Sequence, residues 1–534
     1  MDINENKIAF IYCSDNEQLL NKSISHISSL NIPVNYEIEI IPIRNATSMC
    51  AGYNKGMEKT NAKYKVYLHQ DVFISNKNFI YDFLAIFKNN EQIGLLGVAG
   101  CEVLPTSGIW MDAHNKFGKF HDSHTGKMQL ISFHEFDNDY KIVQAIEGFM
   151  MITQYDIPWR EDLFDDWHFY NVSHSVEFLR KGYSVVVPKQ EEPWCMHDCG
   201  YNYLGNQYEY YRNVFLDEYS TFLYPLVSIL IPTYNRPDFL KEALESVLGQ
   251  TYRNIEIIVC DDSTNETTEL MIQSYLEKDS NIKYVRNPQK LGGSTGLENC
   301  IKCFELSTGE YINFLNDDDL FSSVKISSMM DYFLQFNNIK LVTSFRQLIN
   351  EQGEILSPRR ATEKLFKIDT VVNGSVLGKF VIANLLNVIG EPTTVLFRKS
   401  DIEENFGTYF GRQYVPLSDI STWLHLIHNG DAVYIAEPLS FFRWHSGQNT
   451  NDIVNMIKAT SEWYYLIKDS FTNAVFVYSS DEYKKLLNTW LSYSTRFIHN
   501  VNKLALDHAF EKDNRSIIAE LNNCHHECLT ILKR

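Results

Sequence analysis

The chain alternates short runs of apolar, β-branched residues with stretches of helical period. The segment "YPLVSILIPTYNRPDFLKEALESVLGQTYRNIEIIVCDDST", Tyr224 to Thr264, shows the pattern most plainly. Val227 to Ile231 reads as a buried strand, followed by a Pro/Asn/Pro turn. Leu240, Leu244, Val247 and Leu248 then mark one face of a helix. Ile255 to Val259 forms a second apolar strand that ends in Asp261 and Asp262. Strand, helix and strand within about forty residues predict a βαβ unit of a parallel sheet. Ligands on such sheets bind at the carboxyl ends of the strands.

The N-terminal part repeats this layout. "KIAFIYCSDNEQLLNKSISHISSL" predicts a strand, a polar turn and an amphipathic helix. "KYKVYLHQDVFI" parallels "GEYINFLNDDDLF", and "FDDWHFYNVSHSVEFLRKGYSVVVPKQ" parallels "YVPLSDISTWLHLIHNGDAVYIAEP". These pairs predict a tandem duplication with its boundary between about 205 and 224. The expected domains are 1–215 and 224–451. From 452 to 534 the pattern turns helical, as in "YKKLLNTWLSYSTRFIHNVNKLAL". That region is expected to pack on the second domain or to join two copies of the chain as a homo-oligomer.

Bulk numbers narrow the partners. At 534 residues the chain is too long for one core, so two or three domains are expected. A net charge of -19 argues against nucleic acid or an anionic membrane as the main partner. An anionic substrate would instead need a metal ion to neutralise it. There is no apolar run of transmembrane length and no basic, apolar leader. The ten scattered cysteines read as reduced thiols of a cytoplasmic protein.

Candidate chemistry starts at "NFLNDDDLF", residues 313–321. Three aspartates end an apolar strand. Hard oxygen ligands at such a place suit Mg²⁺ or Mn²⁺ and leave room for substrate phosphates. A solvated acidic turn is the plain alternative.

Five motifs, "VSILIPTYNRPDFLKEALESVLGQTY", "IIVCDDST", "LGGSTGLEN" with "GEYINFLNDDD", "SDISTWLHLIHNG" and "FRWHSGQNT", fall in the order seen in family-two glycosyltransferases. The resemblance covers about residues 225 to 450. It implies the GT-A fold, a nucleotide-sugar donor and inversion at the anomeric centre. Carried over position by position, it implies that Pro232, Thr233, Tyr234 and Asn235 line the nucleotide pocket and that Asp262 reads the uracil ring. Gly292 and Gly293 match a loop near the diphosphate, where Glu298 replaces the usual Arg before Asn299. Asn316 replaces the first acid of the metal motif. Asp318 becomes the leading metal ligand with Asp319 in support, and Asp317 contacts donor sugar or ribose, or faces solvent. His445 matches a histidine at the metal or diphosphate, with Arg443 and Gln448 beside it in an anion-contacting loop. Asp419 matches the catalytic base that a sugar hydroxyl needs as it attacks. Glu391 and Trp423 are acceptor-side candidates.

The first domain resembles a second, less characterised group of glycosyltransferase-like domains over about residues 7 to 215. The resemblance lies in "YKVYLHQDVFI", "IEGFMMITQYDIPWREDLF", "WHFYNVSHSVEFLRKGYSVVVPKQ" and "PWCMHDCG". Glu147 stands where that group has Asp before Gly148, and Asn171 where it has an acid, so Asp165 or Asp166 is the expected substitute. Asp71 is the metal-ligand candidate with His69 nearby, and His197 sits at the expected pocket mouth. "CMHDC" and "CHHEC" each space thiols around histidine, but neither has the second ligand pair usual for structural zinc.

Together these readings predict a metal-dependent, inverting glycosyltransferase that moves a sugar from a UDP-sugar to a glycan or protein acceptor. Either both modules act, or the first binds acceptor or serves as a scaffold. A nucleotidyltransferase would want a Gly- and Lys/Arg-rich phosphate loop after its first strand, and "PTYNRPD" is not one.

Overall fold

The computed structural model describes residues 2–200, 205, 207–288, 290–291, 296–448, 452–504 and 508–533. The chain forms two compact units, Met1–Tyr224 and Pro225–Arg534.

The first unit is built on a seven-stranded sheet. Its strand order is Glu37–Arg44, Asn4–Ser14, Ala62–His69, Met150–Thr153, Ile93–Gly97, Ser184–Pro188, Tyr140–Val143. The first three strands are parallel, and Met150–Thr153 runs antiparallel to both neighbours. Ile8 to Cys13 are all buried, as expected of a strand covered on both faces. The helix Glu17–Ile27 starts where the Asn16 side chain accepts the backbone N–H groups of Gln18 and Leu19. A smaller sheet sets Cys195–His197 antiparallel to Val72–Ile74, with His197 opposite Val72. That register brings His197 beside Asp71. The helix Gln207–Leu223 belongs to this unit and packs Phe215 and Tyr219 into it.

The second unit uses the same plan. Its nine-stranded sheet runs Ile282–Arg286, Ile255–Asp261, Val227–Thr233, Tyr311–Phe314, Leu396–Arg398, Ile339–Ile349, Asp431–Arg443, Leu320–Phe321, with Thr370–Val372 beside Asp431–Arg443. Again the leading strands are parallel, and one strand, Leu396–Arg398, is antiparallel to both neighbours. The expected tandem of α/β domains is thus present. The helix Pro237–Leu248 carries Pro in its first turn and buries Leu240, Ala243, Leu244 and Val247. Leu248 departs from the expected face. It ends the helix and is 39% exposed.

The C-terminal helices Ile453–Thr472, Ser480–Leu504 and His508–Lys533 are part of the second unit. Trp463, Tyr464, Trp490, Leu521, Cys524 and Cys528 join the core that holds Phe397, Phe406 and Trp423. The "CHHEC" thiols are therefore core side chains on a helix, and His525 packs its ring against Trp490. Among the described residues no three-ligand metal group forms there, and no helix is long and apolar enough to cross a membrane.

Candidate active sites

In the second unit the strand Tyr311–Phe314 delivers the aspartate run to the carboxyl end of the sheet. Asp317, Asp318 and Asp319 are 6%, 8% and 0% exposed, which rules out a solvated acidic turn. Each has its own partners. Asp317 Oδ2 accepts the Thr233 hydroxyl at 2.9 Å and the Tyr234 N–H at 3.2 Å. Arg236 Nη1 donates to Asp317 Oδ1 at 3.2 Å and to Asp318 Oδ2 at 2.8 Å. His445 Nε2 lies 2.8 Å from the same Asp318 oxygen. Burial and the neighbouring Asp318 charge push the carboxyls of Asp317 and Asp319 above the usual range. The repulsion is thus relieved by Arg236, by His445 and by raised proton affinity.

Asp319 does not fit the expected supporting role at a metal. Its Oδ2 accepts Thr393 Oγ1 at 2.6 Å and Asn316 Nδ2 at 3.1 Å, and its Oδ1 accepts the Arg443 N–H at 2.9 Å. With both oxygens held by protein donors and no exposure, it is a structural tie. Asp318 Oδ2 and His445 Nε2 remain as an oxygen–nitrogen pair facing each other. Such an oxygen–nitrogen donor pair would suit a divalent ion. Arg443 also departs from expectation. Its guanidinium is buried and spent on the Asp318 carbonyl at 2.7 Å, the Glu351 carbonyl at 2.7 Å and Glu242 Oε2 at 2.5 Å. Gln448 Nε2 in turn donates to the Arg443 carbonyl. Arg236, which the motif reading passed over, is the cation at the acidic run.

At the nucleotide end, Pro232 and Thr233 close the first strand. Asn235 adopts φ +54, donates its N–H to Ser263 Oγ at 2.8 Å and accepts the Thr264 N–H at 3.0 Å. Asparagine tolerates that left-handed backbone better than most residues. The Tyr234 ring is exposed, with the Lys290 ammonium 4.0 Å from its centroid. Asp262 accepts Asn287 Nδ2 at 2.6 Å and the Leu291 N–H at 3.2 Å. Gly292 and Gly293 lie outside the described residues. Glu298 is exposed on the helix Leu297–Leu306.

Asp419 is the second residue of the helix Ser418–Ile427 and is partly exposed. Its Oδ2 accepts Asn387 Nδ2 at 2.8 Å and its Oδ1 the Ile420 N–H at 2.7 Å. Burial, reinforced by Glu391, raises its pKa to about 7. Glu391 Oε2 sits 2.7 Å from Arg346 Nε. Trp423 does not wall an acceptor site. It is fully buried, donates Nε1–H to the Gly390 carbonyl at 2.9 Å and packs edge-on against Phe397 and Phe406. Gly390 has φ +129, and a Cβ there would meet the Thr394 side chain at 2.6 Å, so only glycine fits before Glu391. Glu462, on the C-terminal helices, accepts the N–H groups of Val415 at 2.8 Å and Leu417 at 2.9 Å, just ahead of Asp419.

The first unit gathers its own cluster. One ligand atom each from His69, Asp71 and His197 lie within 4.8 Å of one another. Asp71 Oδ1 is 3.6 Å from His197 Nε2, and His197 Nδ1 is 2.9 Å from Asp122 Oδ2. Phe149 stacks on the His197 ring at 4.7 Å. Desolvation alone would lower the His197 pKa, but Asp122, Cys199 and Asp71 hold it up at about 10. Burial, with the His197 charge, lowers His69 to about 3, and its Nε2 pairs with the Tyr170 hydroxyl at 2.6 Å. Burial also raises the carboxyl of Glu147, close enough to His197 to feel its charge. A Cβ on Gly148 would fall 2.4 Å from Tyr170 Oη.

Asp165 and Asp166, the expected substitutes for the missing acid, are each engaged by a protein donor. Asp165 accepts the Tyr211 hydroxyl at 2.5 Å, and Asp166 accepts the neighbouring Trp167 N–H at 2.8 Å. Asn171 ties to the Ile146 carbonyl at 2.8 Å. Of "CMHDC", His197 and Cys199 group with Asp122, while Cys195 is buried in its strand. No motif pointed to Asp122. It enters through the pairing of Lys116–Asp122 with Cys195–His197.

Comparison with known proteins finds glycosyltransferase matches in both halves of the chain. Residues 228–402 match the family model described as Glycosyl transferase family 2. Residues 9–219 match the one described as Glycosyltransferase like family. Two glycosyltransferase family models thus match in tandem, one in each half of the chain. It is 32% identical to an uncharacterized glycosyltransferase of Methanocaldococcus jannaschii, over 27% of this chain and 49% of the relative. It is 37% identical to a UDP-Glc:alpha-D-GlcNAc-diphosphoundecaprenol beta-1,3-glucosyltransferase of Escherichia coli, over 22% of this chain and 48% of the relative. The chain thus spans about half the length of each of these two relatives. Among solved structures, S. aureus TarS in complex with UDP-GlcNAc aligns with 15% identity and a TM-score of 0.41, over 57% of this chain and 81% of that one.

Proposed function

We propose that the second unit transfers a sugar from a UDP-sugar to a hydroxyl of a growing bacterial glycan, with inversion. The observation that carries this is the acidic run. Asp317 is tied to the end of the first strand, and Asp318 faces His445 beside it. The activities that name the Escherichia coli relative and a Campylobacter jejuni GalNAc(5)-diNAcBac-PP-undecaprenol beta-1,3-glucosyltransferase support a glucose-type donor and a lipid-diphosphate-linked acceptor.

In this reading Pro232, Thr233, Tyr234, Asn235 and Asp262 hold the nucleotide, and Asp317 orients the donor sugar. Asp318 and His445 would hold Mn²⁺ or Mg²⁺, which neutralises diphosphate charge. Asp419 accepts the acceptor hydroxyl's proton on a second lone pair of a carboxylate whose Oδ2 accepts Asn387 and whose Oδ1 accepts the Ile420 N–H. A pKa of about 7 suits a base that must be free near neutral pH and still bind a proton. Glu391 lies on the acceptor side, held by Arg346.

The first unit carries a histidine–carboxylate cluster of its own, which favours a bifunctional chain over one with a bare scaffold module. In this reading the chain works in a reducing, cytoplasmic setting, where its ten cysteines stay free thiols. The test is a panel of UDP-sugars with Mn²⁺, measuring UDP release with a lipid-diphosphate glycan acceptor. Transfer by the second unit should vanish in Asp419→Asn while donor binding survives. Full activity in that variant refutes the base assignment. Residual transfer in an Asp318→Ala/Asp419→Asn variant reports the first unit.

A further inference from the structure

Between the strands Ile339–Ile349 and Thr370–Val372 the second unit carries the sequence "ILSPRRATEKLFKI", residues 355–368. Its cations are Arg359, Arg360, Lys364 and Lys367, against one acid, Glu363, in a chain whose net charge is -19. All four cations are exposed, and among the described residues none of them forms an ion pair. By contrast Arg236, Arg346 and Arg443 each meet a carboxylate. A basic segment left unneutralised on an acidic protein is a local field that attracts an anion.

The fold fixes where this segment lies. Residues 359–362 form a closed turn. The Arg359 N–H donates to Thr362 Oγ1 at 2.9 Å, and the Thr362 N–H donates to the Arg359 carbonyl at 2.8 Å. Thr362 is buried, which anchors the turn. Arg346 Nη2 donates to the Ala361 carbonyl at 2.7 Å, and Nε of the same guanidinium lies 2.7 Å from Glu391 Oε2. One side chain thus holds both the basic turn and the glutamate read as facing the acceptor. The Arg359 guanidinium also lies over the Trp444 ring, 3.4 Å from its centroid, and Trp444 directly precedes His445. That contact steadies an exposed cation without using its N–H groups. Thr233 and Asp262 are at the ends of Val227–Thr233 and Ile255–Asp261, which Tyr311–Phe314 and Leu396–Arg398 separate from Ile339–Ile349. The basic turn is therefore away from the nucleotide end.

We propose that residues 359–367 hold the diphosphate of a lipid-linked acceptor, with Arg359 and Arg360 as the main contacts, an inference that rests on the transfer reading of the second unit. A guanidinium presents paired N–H donors that match phosphate oxygens. The diphosphate stays the same whatever sugars it carries, so a site for it recognises the carrier. A membrane surface fits the segment less well. The hairpin tip that leads into it, residues 350–354, exposes Glu351 and Glu354, which an anionic bilayer would repel.

The test is equilibrium dialysis of octyl diphosphate against the full-length protein in EDTA, so that no metal recruits the probe to Asp318. Octyl phosphate and phosphatidylglycerol vesicles are run beside it. We expect saturable binding of octyl diphosphate, tighter than that of octyl phosphate and weakened by added salt. Arg359→Ala/Arg360→Ala should weaken it about tenfold to a hundredfold, the loss of two charge-assisted contacts. Both side chains are exposed, and circular dichroism checks that the variant is folded. In transfer assays the same variant should raise the KM for a lipid-diphosphate acceptor without a matching rise in the donor KM. Absence of octyl diphosphate binding to the native protein overturns the proposal. Unaltered binding in the folded double variant, or equal binding of octyl phosphate, overturns it as well. Vesicle capture that the double variant loses, with no octyl diphosphate bound, assigns the segment to a bilayer instead. Dialysis involves no donor and no transfer, so failure here is separable from failure of the transfer reading.

Discussion

The side-chain amide of Asn387 donates to Asp419 Oδ2 at 2.8 Å. Asn387 also exchanges hydrogen bonds with Gly390, accepting its N–H at 2.9 Å and donating to its carbonyl at 3.1 Å. Asp419 and the loop carrying Glu391 therefore share one support. Misplacing a base by a fraction of an ångström costs rate, because the reacting geometry is no longer pre-set. Asn387→Ala should lower kcat about tenfold to a hundredfold and leave the donor KM nearly unchanged. Steady-state kinetics with saturating acceptor separates the two.

A raised carboxyl at Asp419 predicts the pH profile. Its proton leaves near pH 7 in the folded protein, against about 4 for an unperturbed aspartate. The basic form accumulates as pH rises, so kcat should fall as pH drops through about 7. Stability runs the other way. Between about pH 4 and 7 the folded state holds a proton that the unfolded state has lost, so this group's contribution declines as pH rises. Asp419→Asn should remove that slope. Melting curves of native and Asp419→Asn protein across this window check the sign.

Asp318 and Asp319 should separate cleanly by substitution. Asp318→Ala should abolish metal-dependent donor binding while the unit stays folded. Asp319→Ala strands the Thr393 hydroxyl, the Asn316 amide and the Arg443 N–H in a buried place. Unpaired buried groups cost about 1–3 kcal/mol each, so its main effect should be a lower melting temperature. Calorimetry of donor binding with Mn²⁺, beside thermal unfolding, distinguishes the two outcomes.

Glu462 ties the C-terminal helices to the segment that precedes Asp419. Glu462→Ala leaves two backbone N–H groups without their acceptor and should destabilise the unit by about 1–3 kcal/mol. Glu462→Gln, which can still accept, should retain most of the stability. If Glu462→Ala unfolds at the native temperature with native kcat, the tail plays no part in placing the base.

Much of this was legible before the structure. Strand-period and helix-period runs located both sheets, and the repeat of "LHQDVF" with "FLNDDDLF" located both clusters. Asp71, His69 and His197 do converge, as do Thr233, Asp317, Asp318 and His445. The misreadings share a cause. Trp423, Asp319 and Arg443 sit in motifs, but motif position does not say which way a side chain points. Asp122, Arg236 and Asn387 carry no motif, and they reach their partners only through strand pairing or loop approach.

The sequence by itself determined the periodicities, the two-fold repeat and the placement of acids at strand ends, because these depend on neighbours a few residues apart. It could not apportion three adjacent aspartates among three roles. That was decided by Thr233, Arg236, Thr393, Arg443 and His445, which lie 74 to 127 residues away along the chain. Each carboxylate's charge state and freedom to meet a ligand follow from which of those donors the fold sets against it, and only tertiary packing brings them together.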